Sequence, residues 1–301
     1  MESQRPLIFD IKRHALEDGP GIRTTVFFKG CQLRCWWCQN PESLETEAEI
    51  GFYPGDCIGC GECVTACQQG AVSLDNPARI DRGRCNRCGD CAAVCPGGGL
   101  RLIGKYYPVE ELMDKLLRDR PFYKVSGGGV TLSGGEPTLH VAYVSFLLAA
   151  LKQEGIHTVL QTNGFFDWSE FAGHLLDFVD LIMFDVKLAN PAEHLKYTGQ
   201  ENGLILANLA RLAQARPDAV LPRIPLIPGI SATEGNLREI SRVLQKLRLH
   251  RCSLLPYNPT GYSKAAHIGK SVSPQLSRRM LSAPEEQQCR EIFSWAELVY
   301  F

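Results

Sequence analysis

The chain has 301 residues, 45% hydrophobic and 22% charged, which suits one large or two modest globular domains. Its 32 basic and 33 acidic residues leave a formal charge of −1, so nothing in the balance favours nucleic acid or an anionic membrane as a partner. The opening MESQRPLIFD lacks the basic start and apolar run of a secretory signal, and the longest apolar stretch, YVSFLLAAL, falls far short of the roughly 20 residues a membrane span needs. A cytoplasmic protein is expected, and there its 13 cysteines point to metal rather than disulfides.

In chain order, a strand at 24–29 (TTVFFK) runs into KGCQLRCWWCQNPE, which places Cys31, Cys35 and Cys38 on one loop. A closed structural metal site takes four protein ligands, whereas a site that does chemistry keeps a position open. Three thiols therefore read as an incomplete cage, its missing ligand supplied by a substrate or cofactor. Next come CIGCGECVTAC (Cys57, Cys60, Cys63, Cys67) and CNRCGDCAAVCP (Cys85, Cys88, Cys91, Cys95). Both follow C-x2-C-x2-C-x3-C, the run of two-cluster ferredoxins, in which the fourth cysteine of each run ligates the other cluster. The implied sets are Cys57, Cys60 and Cys63 with Cys95, and Cys85, Cys88 and Cys91 with Cys67. Paired zinc sites are the rival reading, and two tandem fourfold runs weigh against them. Residues 52–104 are thus expected to form an inserted ferredoxin-like domain with two 4Fe-4S clusters, and 1–51 with 105–301 the frame around it. In such company the opening loop is expected to hold a third 4Fe-4S cluster, with one iron unligated by protein. Cys252 and Cys289 remain as ordinary thiols.

The frame alternates β-branched and amphipathic stretches, the pattern of parallel βα units. After 24–29, strands are expected at 129–133, 157–162, 180–185, 220–225 and 252–257, with helical segments at 108–119, 141–155, 168–179, 201–215 and 233–247. Six units predict an α/β fold, a partial (βα)6 TIM-like barrel. Chemistry in that architecture gathers on the loops after the strand C-termini. SGGEPT (133–138), QTNG (161–164) and FDVK (184–187) all fall there, as do the cysteines. Glycines allow close backbone approach, and Glu136 can accept a hydrogen bond from an amine. Asp185 and Lys187, two apart on an extended strand, share a face. Arg223 stands at a strand end before a proline-stiffened turn. Alone, SGGEP could be a plain strand-to-helix turn, and the three charges ordinary ion pairs.

The C-x3-C-x2-C loop with an aromatic before its last cysteine, together with SGGEP, resembles the radical S-adenosylmethionine superfamily. More narrowly, DGPGIRTTVFFKGC, QTNG, FDVK, IPLIPG and LLPYNP resemble the activating enzymes of glycyl-radical enzymes, the pyruvate formate-lyase activase family, in its longer form with a ferredoxin-like insert. The resemblance implies that Cys31, Cys35 and Cys38 hold a cluster that chelates S-adenosylmethionine. Reductive cleavage would then give a 5′-deoxyadenosyl radical that takes hydrogen from a backbone glycine of a partner enzyme. It further implies Trp37, Cys38 and Gln39 beside the adenine, and Gly134, Gly135 and Glu136 at the methionyl amine. Asp185, Val186 and Lys187, with Met183, would lie near the carboxylate, and Arg223 near the methionyl tail or the partner. A monovalent cation would sit among Gln161, Thr162, Met183 and Asp185, but Gln161 stands where that activase has an acid, which leaves the ion in doubt. Asn258 stands where it has a histidine, and can hydrogen-bond to cofactor without titrating. A monomer is expected, reduced by flavodoxin or ferredoxin, with the insert as electron relay or, alternatively, as a docking surface for the partner. Two other readings are a radical enzyme acting on a small molecule and a pure electron-transfer protein.

Overall fold

The computed structural model describes residues 5–301. Its strands are β1 (Leu7–Ala15), β2 (Arg23–Phe28), β3 (Glu49–Phe52), β4 (Leu100–Ile103), β5 (Lys105–Tyr106), β6 (Gly129–Gly134), β7 (His157–Thr162), β8 (Leu181–Asp185), β9 (Val220–Leu226), β10 (Arg251–Pro256) and β11 (Glu297–Leu298). Nine of them form one sheet in the order β11-β10-β9-β8-β7-β6-β2-β1-β5. From β2 to β10 the neighbours are parallel and in sequence order, whereas β1 and β5 add an antiparallel edge. Its outer strands β5 and β11 are not paired to each other, so the sheet is open.

The apolar runs explain the six central strands, since a parallel sheet covered on both faces buries nearly every residue. In β2 only Phe27 escapes full burial, and in β6 only Gly134. Helices Val109–Leu117, Val141–Gln153, Gly203–Ala215 and Glu234–Lys246 lay their apolar stripes on this sheet, and Leu112, Leu147, Leu209 and Ile240 sit in the main core. Sequence chemistry starts them: Thr233 accepts from the Asn236 amide, and Asp167 from the Glu170 amide to begin Trp168–His174. That last helix is shorter than its apolar pattern predicts and decays into a 3-10 turn at Leu176–Phe178. Among the described residues no helix is long and apolar enough to cross a membrane.

Residues 49–103 leave the sheet as a separate lobe. Its stem is the antiparallel pair β3–β4, with Glu49 opposite Ile103 and Phe52 opposite Leu100. Beyond it two short helices, Glu62–Ala66 and Asp90–Ala93, each follow a glycine in the left-handed region, Gly61 (φ 82°) and Gly89 (φ 93°). The lobe has its own small core of Ile50, Phe52, Val72, Ile80 and Leu100, packed around Cys63 and Cys91. Cys252 and Cys289 are buried in the main core, away from both lobe and rim.

Candidate active site

A cavity of about 520 Å³ opens at the C-terminal ends of the parallel strands. Cys31, Cys35, Trp37, Cys38 and Gln39 form one wall. The loop that carries them is pinned from both sides: Arg34 and Trp36 donate backbone hydrogen bonds to Thr198 and Tyr197 (2.7 and 3.0 Å), and Gly30 donates to Ser43 (2.7 Å). Trp37 anchors it in a small apolar cluster with Leu188, Ile230 and Tyr257. Burial pushes the half-buried thiols up, to about 12 for Cys31 and Cys35 and about 11 for Cys38, while the Lys187 ammonium pulls all three the other way.

Gly134 and Gly135 line the next wall. Their lack of side chains is enforced. A Cβ on Gly134 would lie 2.3 Å from the Phe28 nitrogen, and one on Gly135 would lie 2.1 Å from the Gly30 carbonyl oxygen. The Gly135 and Glu136 amides donate to the Phe28 and Gly30 carbonyls, both at 2.8 Å, so this turn clamps the base of the cysteine loop. Gly135→Ala is accordingly expected to displace that loop. The variant should take up less iron at Cys31, Cys35 and Cys38 and melt at lower temperature, as read by iron analysis and anaerobic thermal denaturation; wild-type values for both would remove the clamp.

Glu136 lies deeper than the two glycines before it. Its side chain is fully buried and does not face the cavity. The carboxylate accepts from the Thr138 amide and hydroxyl (3.2 and 2.7 Å), the Thr162 hydroxyl (2.9 Å) and the Asn163 amide (2.7 Å). Burial still pushes it above the usual carboxylate range. Three of these donors fall on Oε1 and one on Oε2, and together they tie the loop after β6 to the loop after β7. Val186 also departs: its side chain lies in the main core, and its amide donates to the Arg223 carbonyl at 2.8 Å.

Asp185, Lys187 and Arg223 line the far wall. Lys187 Nζ donates to Asp185 at 2.8 Å, and Arg223 Nε and Nη2 donate at 2.9 and 2.7 Å. The side chains are only 19%, 10% and 14% exposed for Asp185, Lys187 and Arg223. Burial alone would raise Asp185, but Arg223 and Lys187 together hold it below the usual carboxylate range. Burial would lower Lys187, yet Asp185 and the Cys35 sulfur keep it above the usual lysine value. Two cations against one anion leave this wall net positive.

The oxygens expected to hold a monovalent cation have protein partners. Gln161 accepts from Ser133 (2.6 Å) and donates to Asp18 (3.2 Å), Thr162 donates to Glu136, and Asp185 takes both cations. Met183 offers its sulfur to Gln161 at 3.6 Å. Asn258 lies behind the cysteine loop, outside this cavity, where its carbonyl accepts from Gln39 and its side chain accepts from the Thr260 amide.

The model of the radical SAM superfamily matches residues 25–240, which spans the cysteine loop, most of β2 and strands β3 to β9. The chain belongs to the radical SAM superfamily, among the activating enzymes of glycyl-radical enzymes. It is 37% identical over 277 residues to the choline trimethylamine-lyase activating enzyme of Oleidesulfovibrio alaskensis, covering 89% of each chain. It is 39% identical to the isethionate sulfite-lyase activating enzyme of Desulfovibrio desulfuricans, over 90% of this chain and 89% of that one. To the benzylsuccinate synthase activating enzyme of Thauera aromatica it is 38% identical, over 90% of this chain and 84% of that one.

A radical SAM protein uses S-adenosylmethionine and a 4Fe-4S cluster, and the residues here fit both. Three soft thiols on one loop face a common space and supply all but one ligand of a cluster. The cavity lies within the roughly 300–1,000 Å³ usual for small-molecule sites. One contact escaped the sequence reading: Asn163 Nδ2 donates to Cys31 Sγ at 3.5 Å, oriented by the Phe165 amide on its Oδ1 (2.8 Å). Hydrogen bonds to a cluster sulfur ligand tune potential. Its place in QTNG, at a strand end, was the available signal.

Proposed function

We propose that this radical SAM protein installs a radical on a backbone glycine of a partner glycyl-radical enzyme. The observation that carries the reading is the convergence of three thiols and a net-positive triad on one cavity. Cys31, Cys35 and Cys38 hold the cluster, Lys187 and Arg223 face the carboxylate end of S-adenosylmethionine, and the backbone of Gly134 and Gly135 meets its amine. When bound, cluster and cofactor supply reductive cleavage of a carbon–sulfur bond and the carbon radical that takes the glycine hydrogen. Asp185 holds both cations in place without neutralising them. Trp37 and Gln39 border the adenine, and the apolar packing behind Trp37 keeps that side dry. In this reading the sheet is a partial (βα)6 barrel, and the protein works as a cytoplasmic monomer.

The lobe supports two further clusters. Cys57, Cys60, Cys63 and Cys95 line one small cavity together, as the alternating ligand rule requires. Cys91 is buried in the lobe core with Cys67 and Cys85 packed against that core, three of the four thiols of the second set. The lobe then relays electrons from flavodoxin or ferredoxin.

The test is to mix the reduced protein with S-adenosylmethionine and a glycyl-radical enzyme of the kinds the relatives are named for. The expected result is a glycine-centred paramagnetic resonance signal in the partner, with methionine and 5′-deoxyadenosine formed in equal amounts. Cofactor cleavage with no signal in any such partner, and turnover of a small molecule instead, would move the assignment to that class.

A further inference from the structure

The two cysteine sets of the lobe are not equivalent in space. The first run hangs from the far end of the stem, beyond Phe52 and Leu100, and a Cβ on Gly99 would meet Cys57 Cα at 2.9 Å. Every residue lining the cavity around Cys57, Cys60, Cys63 and Cys95 falls between 52 and 100, so none comes from the frame. Ile58 and Leu74, 70% and 45% exposed, flank it. Tyr53, whose ring meets His267 at 4.4 Å between centroids, touches the frame on this side but precedes the first thiol.

The second run lies against the frame. Arg82 donates to the stem at the Ile50 carbonyl (3.0 Å) and to the frame at the His267 carbonyl (3.3 Å), and Arg87 pairs with Glu47 of the frame. Cys85 shares an open cleft with Glu47 and Ala48. From there the chain leads back to the active-site loop, because the Cys31 amide donates to the Leu44 carbonyl at 3.4 Å. Glu47 is three positions after Leu44, at most about 10 Å of extended backbone.

We propose that the lobe is a polarised conductor. Cys57, Cys60, Cys63 and Cys95 form the outer station, where a one-electron protein donor delivers. Cys67, Cys85, Cys88 and Cys91 form the inner station, which hands over across residues 44–47 to the group at Cys31, Cys35 and Cys38. The inference rests on the two-cluster reading of the lobe. Each transfer moves one electron and no proton: the giving station is oxidised, the receiving one reduced, and the donor is a reduced flavodoxin or ferredoxin. Arg82 and Arg87 are positioning residues that fix the inner station against the frame.

The experiment compares a first-run variant (Cys57→Ala, Cys60→Ala, Cys63→Ala) with a second-run variant (Cys85→Ala, Cys88→Ala, Cys91→Ala), each as the full chain reconstituted with iron and sulfide. After reduction with titanium(III) citrate, magnetic coupling reports distance directly. The first-run variant should keep the broadened spectrum of two close paramagnets, and the second-run variant should lose it. With reduced flavodoxin as donor, the second-run variant should still accept an electron in its remaining lobe cluster while the active-site cluster stays oxidised. Broadening kept in the second-run variant and lost in the first-run one would overturn the order, as would equal broadening in both. Arg82→Ala with Arg87→Ala retains every thiol and guards against misfolding of the cysteine variants. Iron content should match wild type, while flavodoxin-driven reduction of the active-site cluster slows severalfold; an unchanged rate would overturn the handover. Wild-type protein holding only about four irons would instead overturn the two-cluster reading itself.

Discussion

Replacing Cys31, Cys35 and Cys38 together with alanine is expected to remove about four of roughly twelve irons per chain and all cleavage of S-adenosylmethionine. The iron loss should be partial because, on the proposed reading, the eight lobe thiols hold their own clusters, on a core that does not include the loop. The activity loss is total because no other thiol lines the cavity: Cys252 and Cys289 are buried in the main core. Iron analysis and chromatographic assay for 5′-deoxyadenosine after dithionite reduction read the two effects separately. Loss of all iron would mean that the lobe depends on the loop, and residual cleavage would mean that the cofactor is activated elsewhere.

Asp185→Ala should have the next largest effect, and Lys187→Ala a smaller one of the same kind. Removing Asp185 leaves Lys187 and Arg223 side by side without a counter-charge, and breaking a buried pair from one side costs about 3–5 kcal/mol. A charge-assisted contact from Lys187 to the cofactor is worth about 1.5–3 kcal/mol, so Lys187→Ala should weaken S-adenosylmethionine binding by roughly ten- to a hundredfold with iron content unchanged. The triad also predicts a pH dependence. Asp185 is held below its ordinary 3.8, so its contribution is complete above that value and lost as pH falls through the folded value. Lys187 is held above its ordinary 10.5, so its contribution is complete below that value and lost as pH rises through the folded one. The stability gap between wild type and Asp185→Asn should therefore stay level through neutral pH and narrow in strong acid, as Asp185 protonates, and again in strong base, as Lys187 loses its proton. Anaerobic melts across pH and titration calorimetry with the cofactor measure both; unchanged affinity in Lys187→Ala would reduce the triad to a structural ion pair.

The sheet was legible because burial on both faces writes itself as continuous apolar runs, and all six parallel strands lie within a residue or two of those runs. β1 was not. It lies toward the sheet edge with Asp10, Lys12, Arg13 and His14 exposed, so its pattern reads as neither strand nor helix. Helix Ala283–Ile292 is mostly charged and amidic, held by the Ser282–Glu285 capping box rather than by an apolar stripe. At the site, the Asp185–Lys187 pairing followed from spacing along one strand. The join to Arg223 needed the register that sets Asp185 beside Arg223 across β8 and β9, which no local pattern encodes. The inward turn of Glu136 was hidden for the same reason, since its partners Thr162 and Asn163 come from the neighbouring unit.

The stem of the lobe has an implication for how such proteins are assembled. Because Glu49 pairs with Ile103, the chain leaves the frame and re-enters it at adjacent points, with paired α-carbons about 5 Å apart. An excursion of some fifty residues that begins and ends at one doorway is a cassette: it can be gained, lost or exchanged without rerouting the host chain. The doorway carries one constraint. Buried Lys29, at the root of the cysteine loop, pairs with Glu49 at 2.9 Å, and Lys270 reaches the same carboxylate at 3.1 Å. A graft cut above Glu49 keeps that lock, whereas a cut below it strands a buried ammonium two residues from Cys31.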